Sequence, residues 1–406
     1  MREAKLDPGG QVLQAATAAP AQADDLFMEG PPMLVESRLG LLRPGRLRTA
    51  RRCFIFIVLS WVPLALLTAL EGTLLPRADG IGFLADAGVF ARTWIAGPLL
   101  LVADFVAGRE LSLVAGRFGW LCALSPAARE GFTRVVASTL RLRDGLLLEV
   151  AVVGSVLLLV LALVNSATFD MLPPWLHGAS DPRKLSMAGW WYAMVSLPLL
   201  LVLIMGWLWR LVVWTRFLLL VSRLELSIVP EHPDRAGGMG FVGYSVRGFA
   251  LVAAAFAAIV AGAMANQVLH HEVQLSALRY TMFGTIVACV VLFCAPLCVF
   301  AKRLAAERRR GLREFGQLST AFGLRFGEEW FRAGRRIEPE VLERPDFSAA
   351  TDLYQVVDRV QAMRFVPLDR VNVMLLAGAA AVPFLPVALL AIPFDTLVTK
   401  LLGILV

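Results

Sequence analysis

The chain has 406 residues, 58% of them apolar and only 17% charged, with a mean hydropathy of +0.68. Soluble domains carry about half as much charge again, so this composition and its long charge-free runs exclude a disordered chain, a coiled coil and a secreted disulfide scaffold. The net charge of +7 invites a nucleic-acid partner, but where the basic residues fall argues against one.

Residues 1–50 contain Pro, Gly, Ala, Gln and scattered acids, with no apolar run of signal-peptide length, so a flexible cytoplasmic tail is expected. Arg38, Arg43, Arg46, Arg48, Arg51 and Arg52 then precede the first apolar run, Cys53–Leu70, and should hold that end inside. Further runs follow at Thr93–Gly108, Gly145–Val164, Gly189–Val213, Phe249–Leu269 and Met282–Ala301. Each approaches the ~20 residues that cross a ~30 Å hydrocarbon core. They make residues 51–301 a six-span membrane domain. A seventh run, Val371–Phe394 within 371–406, carries Pro383, Pro386 and Pro393 and is expected to be a broken span or a re-entrant segment.

With the N-terminus inside, the cytoplasmic segments hold 32 Lys and Arg against 5 in the outward ones. That asymmetry orients the chain and accounts for its basic balance. Trp190 and Trp191 open the fourth span, and Trp207, Trp209 and Trp214 close it, as interfacial aromatics do. The expected fold is therefore all-α: a polytopic helical bundle of six to seven transmembrane helices with helical cytoplasmic segments.

Two of those segments carry their own patterns. In 109–144, Ser125-Pro126 is an N-cap and N1 pair, and Phe132, Val135, Val136 and Leu140 recur at helical spacing. Residues 302–370 form a basic block with 14 basic and 11 acidic residues and a helical stretch near Ala349–Met363.

Ionisable residues at membrane depth are the first functional candidates, because burying them is costly. Asp104, Glu149 and Arg210 all fall in the inner third of the bilayer, where an Asp104–Arg210 or Glu149–Arg210 pair is an ion pair or the lining of a polar pathway. The second candidate is the cytoplasmic loop Glu231-His232-Pro-Asp234-Arg235-Ala-Gly237-Gly238. His232 and Asp234 are suited to hold a metal or a proton, and the glycine N–H groups to cradle an anion. The bland reading is a tight turn, with Asp234 as its cap and the glycines at positive φ. Gly238-Met-Gly240-Phe-Val-Gly243 matches a dinucleotide motif in letters alone, since an apolar span follows it. The third candidate, His270-His271-Glu272 at an outer span mouth, suits a pH-sensitive element.

Catalytic signatures are absent, so no enzyme is expected. Cys294 and Cys298 lie one helical turn apart, but no His or acid accompanies them. Neither a metal nor a cofactor is expected, and the cysteines read as small hydrophobes.

Leu140-Arg-Leu-Arg-Asp-Gly145, His232-Pro-Asp-Arg-Ala-Gly-Gly238 and the tail Val382-Pro-Phe-Leu-Pro386 through Ile392-Pro-Phe-Asp395 to Leu402 resemble a function-unknown family of bacterial multi-span inner-membrane proteins. The resemblance implies the fold and the membrane but transfers no site residues.

The expectation is a bacterial inner-membrane protein, homo-oligomeric, meeting the lipid bilayer and anionic headgroups at its cytoplasmic face. Its expected activity is that of a channel or transporter-like protein for ions or small solutes. The alternative is a non-conducting scaffold or regulator that docks a cytoplasmic partner or anionic lipid.

Overall fold

The computed structural model describes residues 26–27, 47–76, 81–122, 125–143, 154–156, 158, 160, 162, 173–178, 184–271, 273–331 and 346–390. It is an all-α polytopic bundle. Five helices are long and apolar enough to cross a membrane, or six when a bent pair near the C-terminus counts as one span. The third expected span and Glu149 lie largely outside the described residues, as does the chain beyond Leu390.

Helix α1 (Leu47–Leu70) runs antiparallel to α2 (Ala87–Leu121), bringing Cys53 to Pro98 and Arg52 to Asp104. Helix α3 (Pro126–Arg143) starts at Ser125, whose Oγ accepts from Ala128 N–H at 3.4 Å. It buries Phe132, Val135 and Val136 against α4 (Met187–Val221), where the rings of Phe132 and Phe217 lie 6.5 Å apart.

Helices α2 and α4 are built alike. Each runs 35 residues and starts at a side-chain cap, Asp86 accepting from Val89 N–H and Ser186 from Gly189 N–H. Each contains a π segment, Ala91–Ala96 and Tyr192–Ser196, just before Pro98 or Pro198. Proline supplies no N–H to the ladder, and the residue before it bonds five residues back: Gly97 N–H to Arg92 O, Leu197 N–H to Tyr192 O. The sequence shows this kinship in an identical run, Pro98-Leu-Leu-Leu-Val102 and Pro198-Leu-Leu-Leu-Val202.

Helix α5 (Gly240–His270, opening with a 3₁₀ turn) is the central span, with 72% of its apolar window buried against 22–44% in the other four. Its Ala and Gly residues allow that closeness. A methyl group at Gly262 would stand 2.4 Å from Ala91 Cβ on α2. Helix α6 (Leu275–Cys294) continues through a 3₁₀ turn at Ala295–Phe300 into α7 (Ala301–Trp330). Ser276–Glu328 covers 53 residues, about 80 Å of helix, so α7 projects well beyond the ~30 Å core.

The basic block contributes to this architecture. The Arg303 guanidinium donates to the carbonyls of Ser222, Leu224 and Leu226 in the stretch that follows α4. Arg308 donates to Gln361 O at the end of α8 (Asp346–Gln361) at 2.7 Å. The last described helices, α9 (Arg370–Ala381) and α10 (Phe384–Leu390), meet at Val382-Pro383 with a bend of 47°.

The segment expected to be a flexible tail has a docked point. Leu26 and Phe27 are buried, Phe27 lying edge-on to Trp214 with ring centroids 5.2 Å apart. Its N–H donates to Ser112 Oγ at 2.9 Å, and Arg143 donates to Leu26 O at 3.1 Å. An isolated Leu-Phe pair carries no periodicity, which is why the sequence pattern does not reveal this contact.

Candidate functional site: an ion triad between spans and an open polar pocket

Asp104 lies on α2 between two arginines from two other helices. Its Oδ2 accepts from Arg52 Nη1 at 2.7 Å, and its Oδ1 pairs with Arg210 Nη2 on α4. The side chains of Arg52 and Arg210 retain 9% and 8% of their exposure, so both guanidinium groups are withdrawn from solvent and lipid. Trp207 positions Arg210: its ring lies 4.8 Å below the guanidinium, and its Nε1 donates to Leu100 O at 3.1 Å. The structure thus takes one of the two pairings the sequence left open and adds Arg52, which sequence reasoning had counted only toward orientation. The space beside the triad is about 10 Å³, room for one water at most. Chemically this is a closed charge cluster that ties three spans together.

The loop between α4 and α5, expected on the cytoplasmic side from the sequence, is a second polar centre. Asp234 Oδ1 accepts from Ala236 N–H at 2.8 Å and Gly238 N–H at 3.1 Å, and Oδ2 accepts from Gly240 N–H at 2.7 Å. His232 Nδ1 stands 2.9 Å from Oδ1. Burial opposes ionisation of Asp234, but the three backbone N–H donors and His232 outweigh it and hold the carboxyl below its usual range. The glycine N–H groups that seemed free to cradle a foreign anion therefore enclose the chain's own carboxylate.

Backbone conformation makes this possible. Arg235, Gly237 and Gly238 have φ of 55°, 66° and 87°, which curl the amides inward. Arg235 is exposed and contributes its carbonyl, which accepts from Arg364 N–H at 2.7 Å. Glu231 is half-buried and takes no part in the hydrogen bonds around Asp234.

This loop floors a cavity of about 530 Å³. Arg117 and Trp120 from the end of α2 form one wall, Tyr244 from the start of α5 a second, and Arg364, Asp369 and Asn372 a third. Arg364 pairs with Asp369 at 3.3 Å. The guanidinium groups of Arg117 and Arg247 lie 5.9 and 4.9 Å from the Tyr244 ring centroid. Arg247 Nε donates to Asn372 Oδ1, and Asn372 Nδ2 is fully buried with no hydrogen-bond partner among the described residues.

At the opposite end of α5, His270 Nε2 lies 3.0 Å from Ala85 O, and His271 is exposed; Glu272 is outside the described residues. The residue sequence reasoning missed here is Asp86. It is fully buried, with Oδ1 accepting from Val89 N–H and Asn266 Nδ2 and Oδ2 accepting from Trp175 Nε1 at 3.1 Å. The signal available was an acid directly before an apolar helical run, the usual place of an N-cap. Among the described residues, no group of three His, Cys, Asp or Glu side chains is placed to hold a metal.

Comparison of the chain with protein-family models, with curated proteins and with solved structures found no match.

Proposed function

We propose that this multi-span membrane protein is a non-conducting binding module, a scaffold or regulator whose cytoplasmic face takes a ligand or partner. One observation carries this reading. Asp104, the acid best placed to line an ion path, is paired with Arg52 and Arg210 within one protomer, and among the described residues the cavity beside it is about 10 Å³. Conduction needs binding weak enough to release the ion, and a carboxylate held by two guanidinium groups is already occupied. The usable space lies instead in the cytoplasmic pocket of about 530 Å³. The charge asymmetry of 32 against 5 supports a bacterial inner-membrane location with the N-terminus inside.

The channel or transporter-like reading keeps one observation in its favour, the 47° break between α9 and α10, a device that lines cavities in transporters. Ion flux into proteoliposomes separates the two. The expected result is the leak of protein-free liposomes. Protein-dependent flux that falls in Asp104→Asn would overturn the binding-module reading.

A further inference from the structure

The slot that holds Leu26 and Phe27 has the features of a peptide-binding site. Both residues lie in a turn, outside any helix, so their main-chain groups have no ladder to join. Each is met by a side chain from a different helix. Ser112 Oγ on α2 accepts from Phe27 N–H at 2.9 Å, and Arg143 Nη1 at the end of α3 donates to Leu26 O at 3.1 Å. Ser112 is fully buried beside Leu111 and Ala115. A hydroxyl withdrawn from water needs a partner, and the Phe27 amide supplies it, so the slot suits main chain as well as side chain. The Phe27 ring stands edge-on to Trp214 and Phe217, with centroids 5.2 and 5.9 Å away and planes at 79° and 81°. That geometry favours an aromatic side chain over an aliphatic one. None of Ser112, Arg143, Trp214 and Phe217 lines the pocket of about 530 Å³, so this is a separate site.

We propose that the slot between α2, α3 and α4 recognises an aliphatic–aromatic pair in an acidic peptide. The protein's own Leu26–Phe27 fills it as a tethered ligand, and a partner protein's segment of the same chemistry enters by displacing that pair. The acidic preference follows from charge: Asp24, Asp25 and Glu29 flank the pair in sequence, while α3 ends in Arg141 and Arg143. The described anchor is small, two buried side chains and two hydrogen bonds. Residues 28–46 join it to α1 at Leu47, a contour of up to about 70 Å, so the pair can leave the slot while α1 stays in place. Occupancy in cis sets a threshold, because a tether of this kind presents its ligand at about millimolar effective concentration. The site does not depend on whether the protein conducts, so this inference and the binding-module reading can fail separately.

The test uses the purified full-length protein in neutral detergent and a fluorescein-labelled peptide with the sequence of residues 24–30, Asp-Asp-Leu-Phe-Met-Glu-Gly. Phe27→Ala in the protein empties the aromatic half of the slot. The expected result is saturable binding of the peptide to that variant, at least about tenfold tighter than to wild type, where the tether competes. The peptide carrying Phe27→Ala should not bind, and one with amides in place of its three acids should bind more weakly. Adding Ser112→Ala to the Phe27→Ala protein should weaken binding about fivefold, by removing the acceptor for the peptide N–H. Wild type gives a second reading that needs no variant: excess unlabelled peptide should speed hydrogen exchange at the Phe27 amide by displacing it from Ser112. Equal binding to wild type and Phe27→Ala, or binding that survives the loss of the ring from the peptide, would mean adsorption without recognition and would overturn the proposal. Absent binding to Phe27→Ala together with unchanged exchange in wild type would overturn it as well.

Discussion

Asp104 and Asp234 are both carboxylates held by several donors, yet one is locked shut and the other floors an opening. Around Asp104 the donors are side chains from α1 and α4, so satisfying the acid draws three spans together and leaves about 10 Å³. Around Asp234 the donors are backbone amides of its own loop, so the acid is satisfied locally and the neighbouring elements stay apart around about 530 Å³. The lesson is that where an acid's donors come from decides the space around it: donors drawn from separate spans close it, and donors from the acid's own loop leave it open.

The largest effect should follow from removing the shared carboxylate. Asp104→Ala leaves Arg52 and Arg210 withdrawn from water without it, and breaking a buried pair costs about 3–5 kcal/mol. Thermal unfolding in detergent should show a large fall in Tm. A wild-type Tm in Asp104→Ala would mean that the triad does not hold the spans, and the contrast with Asp234 would collapse.

Asp234→Ala should cost less, about 1–3 kcal/mol, because the three amides it abandons sit beside an open pocket and can recruit water. The damage should also be local: hydrogen exchange at Ala236, Gly238 and Gly240 speeds up while the spans keep their protection. Acid should imitate the change. The folded carboxyl ionises below its unfolded value, so its contribution is complete above about pH 3.9 and is lost as pH falls through the lower folded value. Exchange at these amides that stays constant on acidification through that range would show that the charge on Asp234 does not hold the loop.

Much of this architecture is written in the sequence. Apolar runs, the Ser125-Pro126 start of α3 and the proline break before α10 follow from composition and local sterics, so they can be read without a structure. Asp104–Arg210 was open to inference because an acid and a base in apolar runs must each find a partner. Arg52 was hidden in a cluster of six arginines, and nothing in such a run says which one turns inward. The π segments had a signal in Pro98 and Pro198, and the identical Pro-Leu-Leu-Leu-Val runs tie the two helices together. The inward curl at Asp234 was harder: whether a glycine amide faces a foreign anion or its own chain depends on φ values that residue identity permits but does not select. Arg235 at a φ of 55° is the clearest case, being a residue type that sequence rules would not place there.

The two loop glycines give the smallest and finest test, because they share a backbone requirement and differ in surroundings. Both sit at positive φ, where a Cβ costs about 1–2 kcal/mol. At Gly237 the added methyl would also lie 2.3 Å from Ile228 Cγ2 and 3.0 Å from Met363 Cε, forcing the loop away from the segment that joins α8 to α9. At Gly238 its nearest neighbours are the His232 ring and Leu121 at 3.8 Å, an ordinary contact at the pocket's edge. Gly238→Ala should therefore pay only the backbone strain, while Gly237→Ala should lose more stability. Chemical denaturation ranks the two. Equal losses at both positions would mean that the loop is not packed against that segment, and the pocket's openness would no longer depend on Asp234 being satisfied within its own turn.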